Sequence, residues 1–335
     1  MISIRILFVP LVFVSLAREA VSSPNIASNA TDLQKRDTRL NTRKNYPIPY
    51  THEIMFETTL FPVFTIEGKV NDQALRFTID MCVDHPCLDI RAFQFSVQLN
   101  RRQVVRSHKI GRGQPWSNQE TYGIMPFTRG KSFRMKITTD SEKYRVYVND
   151  QFFCDYKHAV PLHTIKFIKI AESVKLNRFS EQIITPIAFD HRGPGQNATS
   201  LFLTKSLKTG DIIQHYVTVN PEIWRYGFIY FQLNLYEKTD NPVESKRHVG
   251  FLYRKNGQGT LTCSNTARQC YERIIATPAN IFQPFTFSYE IFPTFVKVYF
   301  NEEYSNQQAV FDANLNMLFM FGCFLNHTLE YIPSP

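Results

Sequence analysis

The side chains best suited to recognising a small polar molecule lie between residues 95 and 122. Three strand-like runs follow one another there: Phe95 to Arg102, Val104 to His108, and Trp116 to Tyr122. Alternation is expected to send Gln98, Asn100 and Arg102 to one face of the first run, and Val97 and Leu99 to the other. The amide and guanidinium groups on the polar face can hydrogen-bond ring hydroxyls. Trp116 adds an aromatic plate of the kind that stacks on the C–H side of a sugar. The plain alternative is an amphipathic strand with a tryptophan at the surface.

Other chemistries lack their residues. Glycoside hydrolysis needs two carboxylates facing each other across a cleft. No strand carries Glu-x-Asp-x-Glu, and Glu302-Glu303 falls at a turn. The histidines are scattered, and His158 and His163 flank a proline-containing turn. No Ser/His/Asp order, glycine-rich phosphate loop or His-Glu-x-x-His is present. Cys82 and Cys87 have no second Cys/His pair at ligand spacing, so neither metal nor cofactor is expected. The sequence points to binding rather than catalysis.

The elements that must position these residues are strands. Leu75–Met81, Phe133–Ile137, Lys143–Val148 and Lys166–Ile170 each alternate apolar and polar residues between Gly, Pro, Asn or Asp. That pattern belongs to antiparallel sheets with one solvated face. No stretch sustains a 3.6-residue apolar period with caps. The expected fold is all-β, built as β-sandwiches of jelly-roll type.

The second half of the chain repeats the first. Phe133–Ile137 and Tyr144–Asn149 are echoed by Phe285–Tyr289 and Val296–Asn301, at a constant offset of 152 residues. A period that long means tandem domains rather than a solenoid. The expected partition is a signal peptide at 1–17, a disordered polar spacer at 18–46, domain one at 47–177, a linker at 178–182 and domain two at 183–333.

The leader reading rests on Arg5, the short apolar run Ile6–Val14 and the small residues of Ser15-Leu-Ala17. The run is too short for a membrane span, and no later segment is long enough. Sequons at Asn29, Asn197 and Asn326 fit a secreted, extracellular glycoprotein. In an oxidising compartment, Cys82 with Cys87 and Cys263 with Cys270 are expected to form local disulfides. Cys154 and Cys323 read as buried thiols. Lys35-Arg36 is a weak dibasic processing signal.

The formal net charge of +9 is spread along the chain rather than run together. With no basic helix and no paired RNA-stacking aromatics, nucleic acid is not expected as a partner. A basic surface does favour acidic glycans by salt-sensitive attraction.

These residues resemble the galectin family of β-galactoside-binding lectins. The family's His-x-Asn-Pro-Arg, Val-x-Asn and Trp-Gly-x-Glu-x-Arg motifs are matched in order by Gln98-Leu-Asn-Arg-Arg102, Val105-Arg-Ser107 and Trp116-Ser-Asn-Gln-Glu-Thr121. Its Pro-Phe-x-x-Gly stretch appears as Pro126–Phe133, and its Asn-Gly hairpin as Tyr144–Asp150. The resemblance implies two tandem galectin-like sandwiches. It implies carbohydrate contacts from Gln98, Asn100, Arg102, Ser107, Trp116 and Gln119. The partners it implies are glycans of glycoproteins or glycolipids, crosslinked if both domains bind. Domain two has drifted further: no Trp follows Thr260–Ser264, and Trp224 lies upstream. Gln98, Ser107, Gln119 and Thr121 depart from the motif, which leaves open a galectin-fold protein-interaction module that has lost sugar binding.

Overall fold

Period-two runs of Phe, Ile, Val and Tyr bury one face of a strand and leave the other to solvent or to a ligand. Here they build 22 strands and two single-turn 3-10 segments among the described residues. The computed structural model describes residues 39–184, 197–219, 230–237, 246–254, 259–262, 273–275, 283–309, 315–322 and 324–335. The leader, Asn29, Lys35-Arg36, Trp224, Cys263, Cys270 and Cys323 lie outside them.

The first half holds β1 (Tyr50–Glu53), β2 (Val63–Val70), β3 (Arg76–Cys82), β4 (Ile90–Gln98), β5 (Gln103–Ile110) and β6 (Ser117–Glu120). It continues through β7 (Ser132–Thr139), β8 (Lys143–Val148), β9 (Gln151–Lys157), β10 (Phe167–Glu172) and β11 (Val174–Ile184). The second half holds β12 (Asn197–Phe202), β13 (Ile212–Val219), β14 (Tyr230–Glu237), β15 (Lys246–Arg254), β16 (Gly259–Thr262) and β17 (Arg273–Ile275). After these come β18 (Phe285–Ile291), β19 (Phe295–Phe300), β20 (Glu303–Ala309), β21 (Leu315–Gly322) and β22 (Phe324–Ile332).

Each half is a two-sheet sandwich, and the halves follow one plan. The sheet β1-β10-β3-β4-β5-β6 has its counterpart in β12-β21-β14-β15-β16-β17. The repeat extends to single hydrogen bonds. Arg134 N donates to Asn149 Oδ1 at 3.0 Å, and 152 residues later Thr286 N donates to Asn301 Oδ1 at 2.9 Å. Both hairpins turn through positive-φ pairs, Asn149-Asp150 and Asn301-Glu302. Asn tolerates that region better than other side chains.

The remaining strands form one sheet of ten, β20-β19-β18-β13-β22-β11-β2-β7-β8-β9. It crosses from half to half where β11 pairs with β22, Glu181 opposite Tyr331 and Ile183 opposite Leu329. Phe179 joins the first core, while Ile183, Leu329 and Tyr331 join the second. These side chains leave the shared sheet on one side, so both six-stranded sheets lie on that side.

Two expectations are corrected by this junction. The supposed linker 178–182 is the middle of β11, paired with β2 on one edge and β22 on the other. Arg178, Glu181 and Gln182 look like surface linker residues, but each has a partner in the fold. The spacer expected over 18–46 is packed over its described part. Leu40 joins Ile212, Tyr299 and Ile332, and Tyr46 is buried beside Leu176. Leu40 N donates to Glu302 O, and Lys44 Nζ to Gly210 O. Two apolar anchors suffice to lay an otherwise polar strap across both halves.

Cys82 and Cys87 are disulfide-bonded, and Cys154 is a buried free thiol whose pKa burial pushes up to about 12. Asn197 opens β12, while Asn326 lies within β22 opposite Thr218.

Candidate functional site

On β4, Phe93, Phe95 and Val97 are fully buried in the first core. Their neighbours Gln94, Ser96 and Gln98 therefore face outward from the six-stranded sheet. Across β5 the ladder sets Gln94 opposite Ser107 and Ser96 opposite Val105. Together with Arg76, Trp116 and Gln119, these residues line a groove of about 210 Å³.

Of the residues expected to converge, Gln98, Ser107, Trp116 and Gln119 meet in this groove. Asn100 and Arg102 do not. β4 ends at Gln98, and residues 99–102 form a tight turn into β5 with Arg102 at φ 52°. The alternation expected to run on through Asn100 and Arg102 stops there, because Asn and adjacent charged residues serve a turn better than a strand. The groove instead takes Gln94 and Ser96, at the same two-residue spacing but six positions earlier. Nothing in their residue types marks them. The signal was the apolar set Phe93, Phe95 and Val97 behind them.

Apart from Arg76, the groove's polar groups are neutral and partly committed. Gln94 Nε2 donates to Asp80 Oδ1 at 2.8 Å, which commits one of its two N–H groups. Burial raises the Asp80 carboxyl above its ordinary range, with the Gln94 bond opposing that shift. Gln103 Nε2 donates to Gln98 Oε1 at 2.9 Å. The Ser96 hydroxyl is buried with no hydrogen-bond partner among the described residues.

The indole is positioned from three directions. β6 is four residues long and meets β5 at only two register pairs, Arg106 with Glu120 and His108 with Ser117. Side chains supply the rest. Tyr156 on β9, in the opposite sheet, donates its hydroxyl to Asn118 O at 3.1 Å and lies 2.8 Å from His108 Nδ1. Burial pushes the Tyr156 pKa up to about 12, so the hydroxyl keeps its proton at neutral pH. Arg106 is fully buried; its Nη1 donates to Tyr122 O at 2.6 Å, and its guanidinium lies 4.0 Å from the Tyr122 ring centre. Its Nη2 stands 3.7 Å from the Glu120 carboxylate. Glu120 thus points inward at Arg106 while Gln119 points into the groove.

Arg91 completes the setting. Its guanidinium lies 5.4 Å from the Trp116 ring centre, within cation–π range. Its Nε donates to Cys87 O at 3.1 Å, so the disulfide loop fixes the cation beside the indole. Among the described residues no group of three or more His, Cys, Asp or Glu is placed to hold a metal ion.

A profile of the galactoside-binding lectin family matches residues 49–181. The 32 kDa beta-galactoside-binding lectin of Haemonchus contortus is 27% identical over 133 residues, covering 40% of this chain and 45% of that protein. Galectin-4 of Rattus norvegicus is 26% identical over 132 residues, 39% of this chain and 40% of its own. Galectin-16 of Homo sapiens is 31% identical over 114 residues, 33% of this chain and 75% of its own. The chain therefore spans less than half the length of the first two of these relatives. Among solved structures, sheep galectin-11 in complex with glycerol is similar at 18% identity and a TM-score of 0.37, over 41% of this chain and 98% of that one.

Proposed function

The chain belongs to the galectin family, and from that premise we propose that its first sandwich binds glycans, β-galactosides or related sugars, in the groove beside Trp116. The observation that carries this reading is the groove itself. One indole and five neutral hydrogen-bonding side chains, Gln94, Ser96, Gln98, Ser107 and Gln119, share a cavity the size of a single sugar ring. A buried hydroxyl without a partner is unusual in a folded protein. A sugar hydroxyl in the groove would satisfy Ser96. Trp116 stacks on the apolar face of the ring, and the amides select among its hydroxyls.

The charged pairs that would strengthen such contacts are absent from the groove, and water competes for each neutral hydrogen bond. Single sugars are therefore bound weakly, with a Kd on the order of a millimolar. The natural partners are glycoproteins or glycolipids displaying many copies, where linked sites add avidity. If domain two binds as well, it crosslinks glycans of one surface, because both six-stranded sheets lie on one side of the shared sheet. The protein is secreted in this reading. The Ile6–Val14 run supports that, as does the Cys82–Cys87 disulfide, a bond of oxidising compartments.

The test is a glycan array probed with the full chain and with Trp116→Ala. Wild type binds a set of galactosides, lactose competes, and the variant loses roughly tenfold or more of the signal. Binding to no glycan, or equal binding by both proteins, would remove the proposal. The second reading, a protein-interaction module, is favoured by the amides already engaged with Asp80 and Gln103. A protein partner captured undiminished in excess lactose would establish that reading instead.

A further inference from the structure

Asp80 is a buried carboxylate just behind the Trp116 groove and outside its lining. Its neighbours on β3, Ile79 and Met81, are fully buried in the first core, so Asp80 stands on the outer face of the six-stranded sheet. The ladder sets it between Lys169 on β10 and Gln94 on β4. Among the described residues no cation lies within ion-pair distance of it. Lys169 Nζ donates instead to Pro86 O, and Arg91 Nε to Cys87 O. A buried carboxylate without an ion pair is costly to keep. What this one holds is the amide of Gln94, whose Nε2 donates to its Oδ1 at 2.8 Å.

An ionised carboxylate only accepts hydrogen bonds. It therefore takes the nitrogen end of the Gln94 amide, and the planar amide carries its carbonyl turned away from Asp80. On its other side Gln94 faces Ser107 of β5, in the part of the groove that Trp116 and Gln119 also line. A protonated carboxyl has an O–H to donate. It can take the carbonyl end instead, and the amide then turns its N–H groups to where the acceptor stood. The charged groups around Asp80 are Arg91 on β4, Lys169 on β10 and Arg76 on its own strand. All three are cations and favour the carboxylate; burial outweighs them and raises the carboxyl above its ordinary range.

We infer that Asp80 is a positioning residue for sugar recognition: its carboxylate orients the Gln94 amide so that the carbonyl accepts a hydrogen bond from a sugar hydroxyl, and protonation of Asp80 releases that orientation. The inference rests on the glycan-binding reading of the groove and adds a specificity to it. The hydroxyl that meets Gln94 must donate its proton. Fluorine in its place cannot donate, and a site built to bond a hydroxyl rejects an analogue that lacks it.

The full chain is titrated with lactose and with its singly fluorinated deoxy derivatives, at pH 7.5 and at pH 5. At pH 7.5 one derivative binds about tenfold more weakly than lactose, the size of one neutral hydrogen bond. Asp80→Asn is isosteric and both donates and accepts, so it narrows that preference to about threefold or less. The wild-type preference also narrows toward pH 5, while that of the variant is flat. Both affinities are read at the same pH, so a general weakening of the fold cancels from their ratio. A preference for lactose that is absent, or that Asp80→Asn leaves unchanged, would overturn this inference while leaving the lectin proposal intact. If the variant does not fold, a wild-type preference equal at the two pH values overturns it as well. Binding to neither lactose nor any derivative would overturn the lectin proposal itself.

Discussion

Glu181→Ala lowers the stability of the protein by about 3–5 kcal/mol, the range for removing one partner of a buried hydrogen-bonded charge. Glu181 is fully buried in β11 and accepts three hydrogen bonds. Its carboxylate takes the backbone N–H of Met55 at 2.8 Å and of Phe56 at 2.7 Å, and faces His52 Nε2 at 3.1 Å. Burial lowers the His52 pKa against the pull of Glu181, so the neutral ring donates its Nε2 proton to the carboxylate. Met55 and Phe56 leave β1 and enter the core of the second sandwich. One side chain of the first half therefore anchors a segment that fills the second. Alanine leaves two buried N–H groups without acceptors and loosens that segment. Calorimetry should show a Tm about 10 °C lower, with partial recovery in Glu181→Gln, which keeps an acceptor. A Tm within 2 °C of wild type would show that the junction is held by other contacts.

Acid weakens the fold well above the pH at which ordinary carboxylates titrate. His215 Nδ1 and His327 Nε2 lie 3.0 Å apart in the second sandwich, both buried. Burial holds both rings below their ordinary pKa, His327 at about 3, and for His215 the neighbouring ring adds to the effect. In the unfolded chain each ring takes up a proton below about pH 6.5; in the folded protein neither does. Stability is whole above that pH and is lost as pH falls through 6.5 toward the folded values. By pH 5 the loss is about 2 kcal/mol for each ring. His52 acts in the same direction. Asp80, with its raised carboxyl pKa, acts in the other. Urea midpoints at pH 7.5 and pH 5 measure the difference, and identical midpoints would contradict the buried, neutral His pair.

The strands were legible because their cores are written in alternating Phe, Ile, Val and Tyr. The hairpins at Asn149 and Asn301 were legible because Asn accepts positive φ. Ser107, Trp116 and Gln119 line the groove because β5 runs beside β4 and β6 beside β5. The error on β4 came from matching residue types instead of following burial. Asn100 and Arg102 suggest a binding strand, but Leu99 to Arg102 is a turn, and Gln94 and Ser96 take the facing positions. β11 was misread because a carboxylate inside a protein looks like a surface residue until its partners, more than 120 residues away, are known. The ten-stranded sheet could not be read locally. It depends on strands brought together by the fold, β11 against β22.

The central claim is that sugar sits on Trp116, and the indole reports on it directly. The chain has only two tryptophans, Trp116 and Trp224, so an amide correlation spectrum carries two indole N–H signals, assigned with Trp116→Phe. Titration of the full chain with the tightest-binding galactoside should shift the Trp116 signal progressively to saturation. Saturable glycan binding with the Trp116 signal unmoved would place the sugar elsewhere and contradict the account.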